Sequence, residues 1–214
     1  MWKSVARMNA RRWVAGVAPC ILALLAALPL CASGEIPGFD RVRVLKKPIE
    51  VADAQLIDQR GDSFRLSQLD GKVTLLFFGY TDCPDVCPIA METFRQLHDS
   101  GAVDNDKVNY VLISVDGDRD TPEAMQSFLD KFSTAFIGLT SDPARVKTIA
   151  AQFSVSFFNM GPASHTGHSE HTQQYDVSHS PQAFALDPSG RVRAELYAPS
   201  VESMAGLVNA ILAE

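Results

Sequence analysis

The chain alternates short apolar blocks with segments whose apolar residues recur at helical spacing. Residues 73–78 and 107–115 are two such blocks, and their β-branched and aromatic side chains predict buried strands. Helical spacing follows each block, over residues 89–97 and 121–132. Strand, helix, strand and helix in this order predict a parallel βαβ unit.

Weaker signals on both sides of this unit complete the predicted fold. A turn signature from Asp187 to Gly190 separates two predicted antiparallel strands. The other predicted elements are an N-terminal hairpin, a third strand, a third helix and a closing helix, at residues 49–57 with 64–69, 135–139, 143–153 and 203–213. A parallel βαβ unit followed by an antiparallel hairpin and a final helix predicts an α/β, thioredoxin-like fold, with a mixed central sheet and flanking helices.

The N-terminal segment has the composition of a targeting sequence. Four basic residues and no acid precede Glu35, and an apolar run occupies residues 13–30. This pattern predicts a signal peptide or a short membrane anchor, and either would send the rest of the chain across a membrane. Three fates are open: retention as an anchor, cleavage near Ala32, or lipidation at Cys31.

The rest of the chain is expected to form one domain. Its predicted organisation is a signal peptide or anchor at residues 1–34, a linker at 35–47 and a thioredoxin-like domain at 48–214. The 214 residues include 19 Lys and Arg and 25 Asp and Glu, a net charge of −6. Since four of the basic residues lie in the leader, the remainder carries −10, which argues against a nucleic-acid partner.

Two cysteines lie where the strand at 73–78 turns into the following helix. Cys83 and Cys87 are the only cysteines outside the leader, so they are not one bridge of a disulfide scaffold. A proline follows each of them, which suits a turn and the first helical position. The N–H groups of the first turn and the helix dipole would favour thiolate over thiol. Such a pair can hold a soft metal ion or cycle through a disulfide.

The spacing of the cysteines bears on this choice. Three residues separate them, whereas most dithiol oxidoreductases of this fold have two, and the longer spacing gives the sulfurs more freedom to surround an ion. Two thiolates suit Cu(I), while Cu(II) or Zn(II) would also take nitrogen. His179 lies in a predicted turn at 175–181 that should face the cysteines. It is either a nitrogen ligand or a surface histidine bonded to Asp176.

Two polar stretches contain side chains that could bind a cation. Residues 157–175 break the hydrophobic pattern and predict an exposed loop that contains His165, His168 and His171. These histidines either gather a metal ion loosely or are incidental, and they are not counted as primary ligands. The acidic stretch at 116–120 is predicted to be a solvated loop before the next helix rather than a cation site.

Four motifs together resemble the Sco/SenC family of membrane-tethered copper proteins. They are the cysteine segment 77–88, residues 114–122, the Asp-x-x-His turn that ends at His179, and residues 186–190. The resemblance covers residues 48–213, with the motifs in the family's order.

The resemblance implies a copper-binding metallochaperone with a thioredoxin fold. Cys83, Cys87 and His179 would bind copper as Cu(I), Cu(II) or both. The implied recipient is the copper-centre subunit of cytochrome c oxidase, whose binuclear centre the protein would help to assemble, and a periplasmic copper donor is a further candidate partner. The implied location is the periplasmic side of the bacterial inner membrane, with the N-terminal segment in contact with the membrane. The mitochondrial inner membrane facing the intermembrane space is the alternative.

Family members are also discussed as thiol-disulfide reductases of the target's cysteines. In that alternative Cys83 and Cys87 would be catalytic and the protein would be an enzyme, whereas a copper carrier is not one. A peroxiredoxin-like peroxidase is a third and weaker alternative.

Two features depart from the family pattern. Ser178 occupies the position where an aspartate often precedes the histidine, so support for the ring would fall to Asp176. Pro181 lies near the cis-proline position of thioredoxins, and a cis Ser180–Pro181 bond would favour dithiol chemistry.

Overall fold

The computed structural model describes residues 41–162, 175–179 and 181–214, and it describes side chains over 42–158 and 181–214. The strands in these ranges are β1 (Arg41–Ile49), β2 (Gln55–Asp58), β3 (Ser63–Arg65), β4 (Val73–Gly79), β5 (Val108–Ser114), β6 (Ile137–Thr140), β7 (Phe157–Pro162), β8 (Tyr175–His179), β9 (Ala183–Leu186) and β10 (Val192–Tyr197). The helices are α1 (Val86–Ser100), α2 (Pro122–Leu129), α3 (Pro143–Gln152) and α4 (Val201–Leu212).

Eight of these strands form one mixed sheet in the order β1-β10-β9-β4-β5-β6-β2-β3. Strands β4, β5 and β6 are parallel, as the predicted βαβ unit requires, and β9 runs antiparallel to β4 on its other side. Strands β7 and β8 pair separately as a two-stranded sheet. The mixed sheet with its helices agrees with the predicted fold class.

Local sequence signals start the helices at the predicted places. The hydroxyl of Thr121 accepts a hydrogen bond from the N–H of Ala124, and the carboxylate of Asp142 accepts one from the N–H of Arg145. A proline occupies the first turn of both helices, where its missing N–H costs nothing. Gly101 ends α1 with φ of +69°, the left-handed conformation that favours glycine.

Three phenylalanines pack together in the core against β4. The ring centroids of Phe78 and Phe153 lie 5.2 Å apart, and those of Phe153 and Phe184 lie 5.1 Å apart, both in edge-to-face geometry. Burial of each ring stabilises the fold by about 2–3 kcal/mol. Because Phe153 directly follows α3, the cluster ties that helix to the centre of the sheet.

The first strand occupies residues that the sequence analysis assigns to the linker. Strand β1 pairs with β10 at one edge of the sheet, although the linker was predicted to extend through residue 47. Its Arg43, Lys46 and Lys47 are exposed, and Pro48 lies near its end. Charged residues and proline are typical of edge strands, so this composition resembles that of a linker.

The segment predicted as a loop and a turn contains a second pair of strands. Strand β7 occupies the start of the predicted loop at 157–175, and β8 occupies most of the predicted turn at 175–181. Both predictions were wrong at these positions, because the two strands pair only with each other and leave no strong alternation in the sequence. Residues 163–174 lie outside the described residues, with His165, His168 and His171 among them.

The predicted leader at residues 1–34, including Cys31 and Ala32, also lies outside the described residues, as does Ser180 of the Ser180–Pro181 bond. No helix within the described ranges has the length and apolar character needed to span a membrane.

The predicted turn between β9 and β10 is confirmed. The N–H of Gly190 donates to the carbonyl of Asp187 at 2.9 Å, and Gly190 has φ of +76°. The carboxylate of Asp187 accepts hydrogen bonds from the N–H of Ser189 at 3.0 Å and from Nε of Arg191 at 3.0 Å. Burial by itself raises the pKa of Asp187, but the bonds from Arg191 and Ser189 outweigh it and hold the pKa below its usual value.

This turn predicts a pH-dependent contribution to stability. Replacement of Asp187 by Asn should lower the free energy of unfolding by about 1–3 kcal/mol at neutral pH. Since the folded-state pKa is lowered, the carboxylate contributes fully above its unfolded-state pKa and loses its contribution as pH falls through the folded-state value. Urea unfolding at several pH values should show a difference between wild type and variant that shrinks below about pH 4. A difference that stays constant down to pH 2 would contradict the prediction.

Candidate metal centre

Two loops meet where β4 and β5 end, at the edge of the sheet formed by the carboxyl ends of these strands. The strands are parallel with Gly79 opposite Ser114, so the residues that follow them leave the sheet side by side. We call residues 80–85 the cysteine loop and residues 115–121 the acidic loop. Their junction is held by the N–H of Val115, which donates to the carbonyl of Gly79 at 2.8 Å. Ligand sites in sheets of this kind commonly lie at this edge.

The cysteine loop and the first turn of α1 bring the two predicted sulfur ligands together. Cys83 is 8% exposed and Cys87 is fully buried, and the pair is in the dithiol form. The two side chains share a hydrogen bond, so the sulfurs are neighbours. The N–H of Cys83 donates to the carbonyl of Tyr80 at 3.3 Å, which closes a turn ahead of the helix.

The protonation of Cys87 differs from the sequence-based expectation of a thiolate. Its hydrogen bond with Cys83 and its burial raise the pKa of Cys87 above its ordinary value. A hydrogen bond from the backbone N–H of Tyr80 favours the thiolate, but it is outweighed. The helix N-terminus is therefore not sufficient to ionise a thiol so deeply buried. Cys87 must lose a proton when it binds a metal ion or attacks a disulfide.

Gly79, the last residue of β4, makes room for the buried sulfur. A Cβ atom at this position would lie 2.8 Å from Sγ of Cys87 and 2.9 Å from Cε1 of Phe77. Both distances are too short for van der Waals contact. The close approach of Cys87 to the sheet therefore depends on glycine at residue 79.

Two of the three aspartates of the acidic loop, Asp116 and Asp120, are buried, which corrects the prediction of a solvated loop at these positions, whereas Asp118 is exposed. Asp116 and Asp120 are only 3% and 1% exposed, and Asp116 forms an ion pair with Arg119. The carboxylate of Asp120 accepts hydrogen bonds from Thr81 and from Ser114. Burial raises the pKa of Asp120, although these hydrogen bonds partly offset it. The negative charge of Asp120 in turn contributes to the raised pKa of Cys87.

The backbone of His179 reaches the edge where the cysteines lie. His179 ends β8, and four residues later β9 begins with Ala183 opposite Phe77 of β4. On the partner strand β7, His179 pairs with Phe157, which lines a cavity of about 270 Å³ together with Asp116 of the acidic loop. The imidazole lies outside the described side chains, and so does the side chain of Asp176.

No group of three His, Cys, Asp or Glu side chains with the arrangement of a metal site occurs among the described side chains. The described part of the centre is thus the two sulfurs, Cys83 and Cys87. They fit a soft ion that prefers thiolate ligands.

An apolar groove lies beside the first turns of α1. Its volume is about 440 Å³, and Val86, Ile89, Pro181 and Tyr197 are among its lining residues. Ile89 is 60% exposed, which is unusual for a large apolar side chain in a helix that packs on a sheet. The groove thus lies next to Val86, the residue that precedes Cys87 in the chain.

The sheet order and the two neighbouring cysteines at the start of α1 are those of a thioredoxin-like protein. A family model described as SCO1/SenC matches residues 44–212, nearly the whole of the described part of the chain. The chain belongs to the SCO1/SenC family, as the sequence motifs predict.

Individual relatives agree with this assignment. A Stutzerimonas stutzeri protein, named provisionally as copper-binding, is 32% identical to this chain over 182 residues. The match spans 84% of this chain and 85% of the relative. The structure of Bradyrhizobium japonicum ScoI with copper bound is 32% identical, with a TM-score of 0.64, and covers 75% of this chain and 98% of its own.

A second structure is that of BsSco, a member of the Sco family of cytochrome c oxidase assembly proteins in which a disulfide switch was identified. It is 18% identical with a TM-score of 0.58, and it covers 79% of this chain and 97% of its own. At this identity the likeness supports the fold, and with the ScoI structure it confirms the predicted thioredoxin-like class.

Sequence reasoning missed three residues that shape the site. Gly79 and Thr81 lay in the cysteine segment without a role of their own, and Asp120 was assigned to a solvated loop. The motif at 114–122 was a signal for Asp120, because it contributed to the family resemblance. The burial of Asp120 against the cysteine loop is evident only from the structure, in which the two loops lie side by side.

The close packing at Gly79 predicts the effect of one added methyl group. Replacement of Gly79 by Ala should lower the free energy of unfolding by about 1–3 kcal/mol and displace the sulfur of Cys87. Urea unfolding measures the first effect, and the rate of reaction of the buried thiol with a thiol reagent measures the second.

The matched control is Gly206→Ala in α4, where the added Cβ would meet nothing within 4 Å. That variant should be as stable as wild type or up to about 1 kcal/mol more stable. Equal stability and equal thiol reactivity of Gly79→Ala and wild type would contradict the packing argument.

Proposed function

We propose that this chain is a copper-binding assembly factor that delivers copper to the copper-centre subunit of cytochrome c oxidase. Cys83, Cys87 and His179 bind the ion in this proposal. The observation that carries it is the pair of neighbouring, buried thiols at the start of α1. The chain is also similar over 75% of its length to the structure of Bradyrhizobium japonicum ScoI with copper bound.

The donor set supports copper over the harder divalent ions. Two thiolates bind Cu(I) well, and a third ligand from an imidazole would also accommodate Cu(II). The strand pairing supports His179 as that ligand, since His179 lies four residues before Ala183, which starts β9 opposite Phe77 near the end of β4. Burial of the sulfurs would protect a bound ion from water and from chelators.

Release of the ion follows from the chemistry of its ligands. Thiolates of the recipient replace those of Cys83 and Cys87 one at a time, so the ion is never free in solution. Each recipient thiol loses a proton as it bonds to the ion, and each cysteine released from the ion takes one up. The raised pKa of Cys87 supports this direction of transfer, because the protonated thiol is stable in the emptied site.

The leader supports a location on the far side of a membrane. A basic, apolar start of the kind found at residues 1–34 directs export or anchors the chain, and we place the domain on the periplasmic side of the bacterial inner membrane. The mitochondrial inner membrane, facing the intermembrane space, is the corresponding eukaryotic location.

A thiol-disulfide reductase is the second candidate function. The unequal exposure of the pair favours it, since Cys83, which is 8% exposed, could attack a disulfide and the fully buried Cys87 could resolve the mixed disulfide. Two electrons pass from the dithiol to the target, and the chain is left with a Cys83–Cys87 disulfide. This function requires no histidine.

Copper binding by ligand variants tests the first candidate. We expect Cys83→Ser, Cys87→Ser and His179→Ala each to lower Cu(I) affinity by at least about 10- to 100-fold, the loss typical for residues that only support a ligand. The measurement is competition with a chromophoric Cu(I) chelator, on the full chain reduced and purified in mild detergent.

The matched control is His98→Ala, in the last turn of α1, where the ring interacts with Asp99 at 3.0 Å. Since His98 lies about 16 Å along the helix from Cys87, this variant should bind copper as wild type does. Unchanged affinity in His179→Ala would remove that residue from the site.

Oxidase assembly in cells distinguishes the two candidate functions. A strain that lacks the protein and assembles oxidase poorly should be rescued by wild type and by His98→Ala, but not by His179→Ala. Full rescue by His179→Ala, with loss of rescue in both cysteine variants, would favour the reductase instead.

A further inference from the structure

Hydrogen bonds from Thr81 to Asp120 tie the cysteine loop to the acidic loop. The hydroxyl of Thr81 donates to Oδ1 of Asp120 at 2.6 Å. The backbone N–H of Thr81 donates to both carboxylate oxygens of Asp120, at 3.3 Å to Oδ1 and 3.1 Å to Oδ2. Hydrogen bonds to a charged acceptor are about twice as strong as hydrogen bonds between neutral groups. Thr81 is therefore anchored by both its backbone and its side chain, two residues before Cys83.

Asp120 is itself held on its other sides. Its Oδ2 accepts a hydrogen bond from the hydroxyl of Ser114 at 2.6 Å, at the end of β5. Its N–H donates to the carbonyl of Asp116 at 2.9 Å, and its carbonyl accepts from the hydroxyl of Thr140 at 2.9 Å. With 1% of the residue exposed, the carboxylate is a fixed acceptor inside the protein.

The two cysteines are positioned by different means. Cys87 belongs to α1 and packs against Gly79, so the helix and the sheet fix its sulfur. Cys83 precedes the helix, and its backbone position depends on the turn that starts at Tyr80. The relative placement of the two sulfurs thus depends on how firmly the cysteine loop is held.

The geometry points to Asp120 as a positioning residue of the copper site, which acts through Thr81 to hold Cys83 beside Cys87. This inference rests on the proposed function and deepens it, since it names a residue that supports the metal without binding it. Without the carboxylate, Thr81 loses its acceptors and the loop loses its side-chain anchor to the acidic loop. Cys83 would then leave the arrangement that one ion requires of both sulfurs.

Three variants of the full chain, reduced and purified in mild detergent, test this role by Cu(I) competition. Asp120→Ala removes the acceptor and should lower Cu(I) affinity by about 10- to 100-fold. In Asp120→Asn the amide oxygen still accepts from Thr81, and the amide NH₂ can donate to Ser114. Its affinity should stay within a factor of about three of wild type. Thr81→Val removes only the hydrogen bond from the hydroxyl. It should lower Cu(I) affinity about tenfold, which is close to the contribution of one hydrogen bond to a charged group.

Asp58→Ala is the matched control. Asp58 is also 1% exposed and also accepts backbone hydrogen bonds, from Arg60 at 2.9 Å and Asp62 at 3.0 Å. It lies in β2, which β5 and β6 separate from β4 in the sheet, and its carboxylate is held by Arg60 and Asp62 of its own hairpin rather than by the cysteine loop or the acidic loop. Asp58→Ala should lower the free energy of unfolding as Asp120→Ala does, and leave Cu(I) affinity unchanged.

Each alternative result has a distinct meaning. Wild-type affinity in Asp120→Ala would overturn the inference alone. An affinity in Asp120→Asn as low as in Asp120→Ala would also overturn it, because the charge rather than the position would then matter. An equal loss in Asp58→Ala would overturn it by showing a general effect of instability. If Asp120→Ala does not fold, Thr81→Val decides, and wild-type affinity in that variant would overturn the inference. A wild-type chain that binds no Cu(I) would overturn the proposed function and this inference with it.

Discussion

The parallel pairing of β4 with β5 is the constraint on which the site depends. Both strands lie in the middle of the sheet, and their last residues, Gly79 and Ser114, are opposite each other. The loops that follow must then share one edge, and β9, which is antiparallel to β4, starts at that edge with Ala183, four residues after His179. Segments that are far apart in the sequence are thus assembled by hydrogen bonding between backbones, before any side chain at the site is considered.

The side chains gathered at this edge share an electrostatic property. Cys87 and Asp120 are both buried, and burial contributes to a raised pKa for each. Negative charge is therefore costly there when the site holds no metal ion, and a bound cation would offset it. Burial of both groups would therefore favour a ligand that brings positive charge. The proposed copper binding and the proposed thiol chemistry would both depend on this property.

Much of the fold follows from local signals in the sequence. The caps at Thr121 and Asp142 and the turn at Gly190 act within a few residues, so the elements they bound could be predicted. Strands β1 and β7 could not, because their stability comes from partners distant in the chain or from weak mutual pairing. The cysteines were predicted as a pair, and the membership of the family was confirmed. The burial of Asp120 could not be predicted, since a solvated and a buried aspartate look alike in a sequence.

The unequal depth of the two sulfurs has a consequence for damage by oxidants. An oxidant that enters from solvent meets Cys83 first, since Cys87 is fully buried behind it. A sulfenic acid formed on Cys83 would lie next to the thiol of Cys87, and the two would condense to a disulfide with loss of water. That product can be reduced again, whereas further oxidation of an isolated sulfenic acid cannot readily be reversed. The proximity of the two sulfurs would thus also limit permanent loss of the thiol pair during oxidative stress.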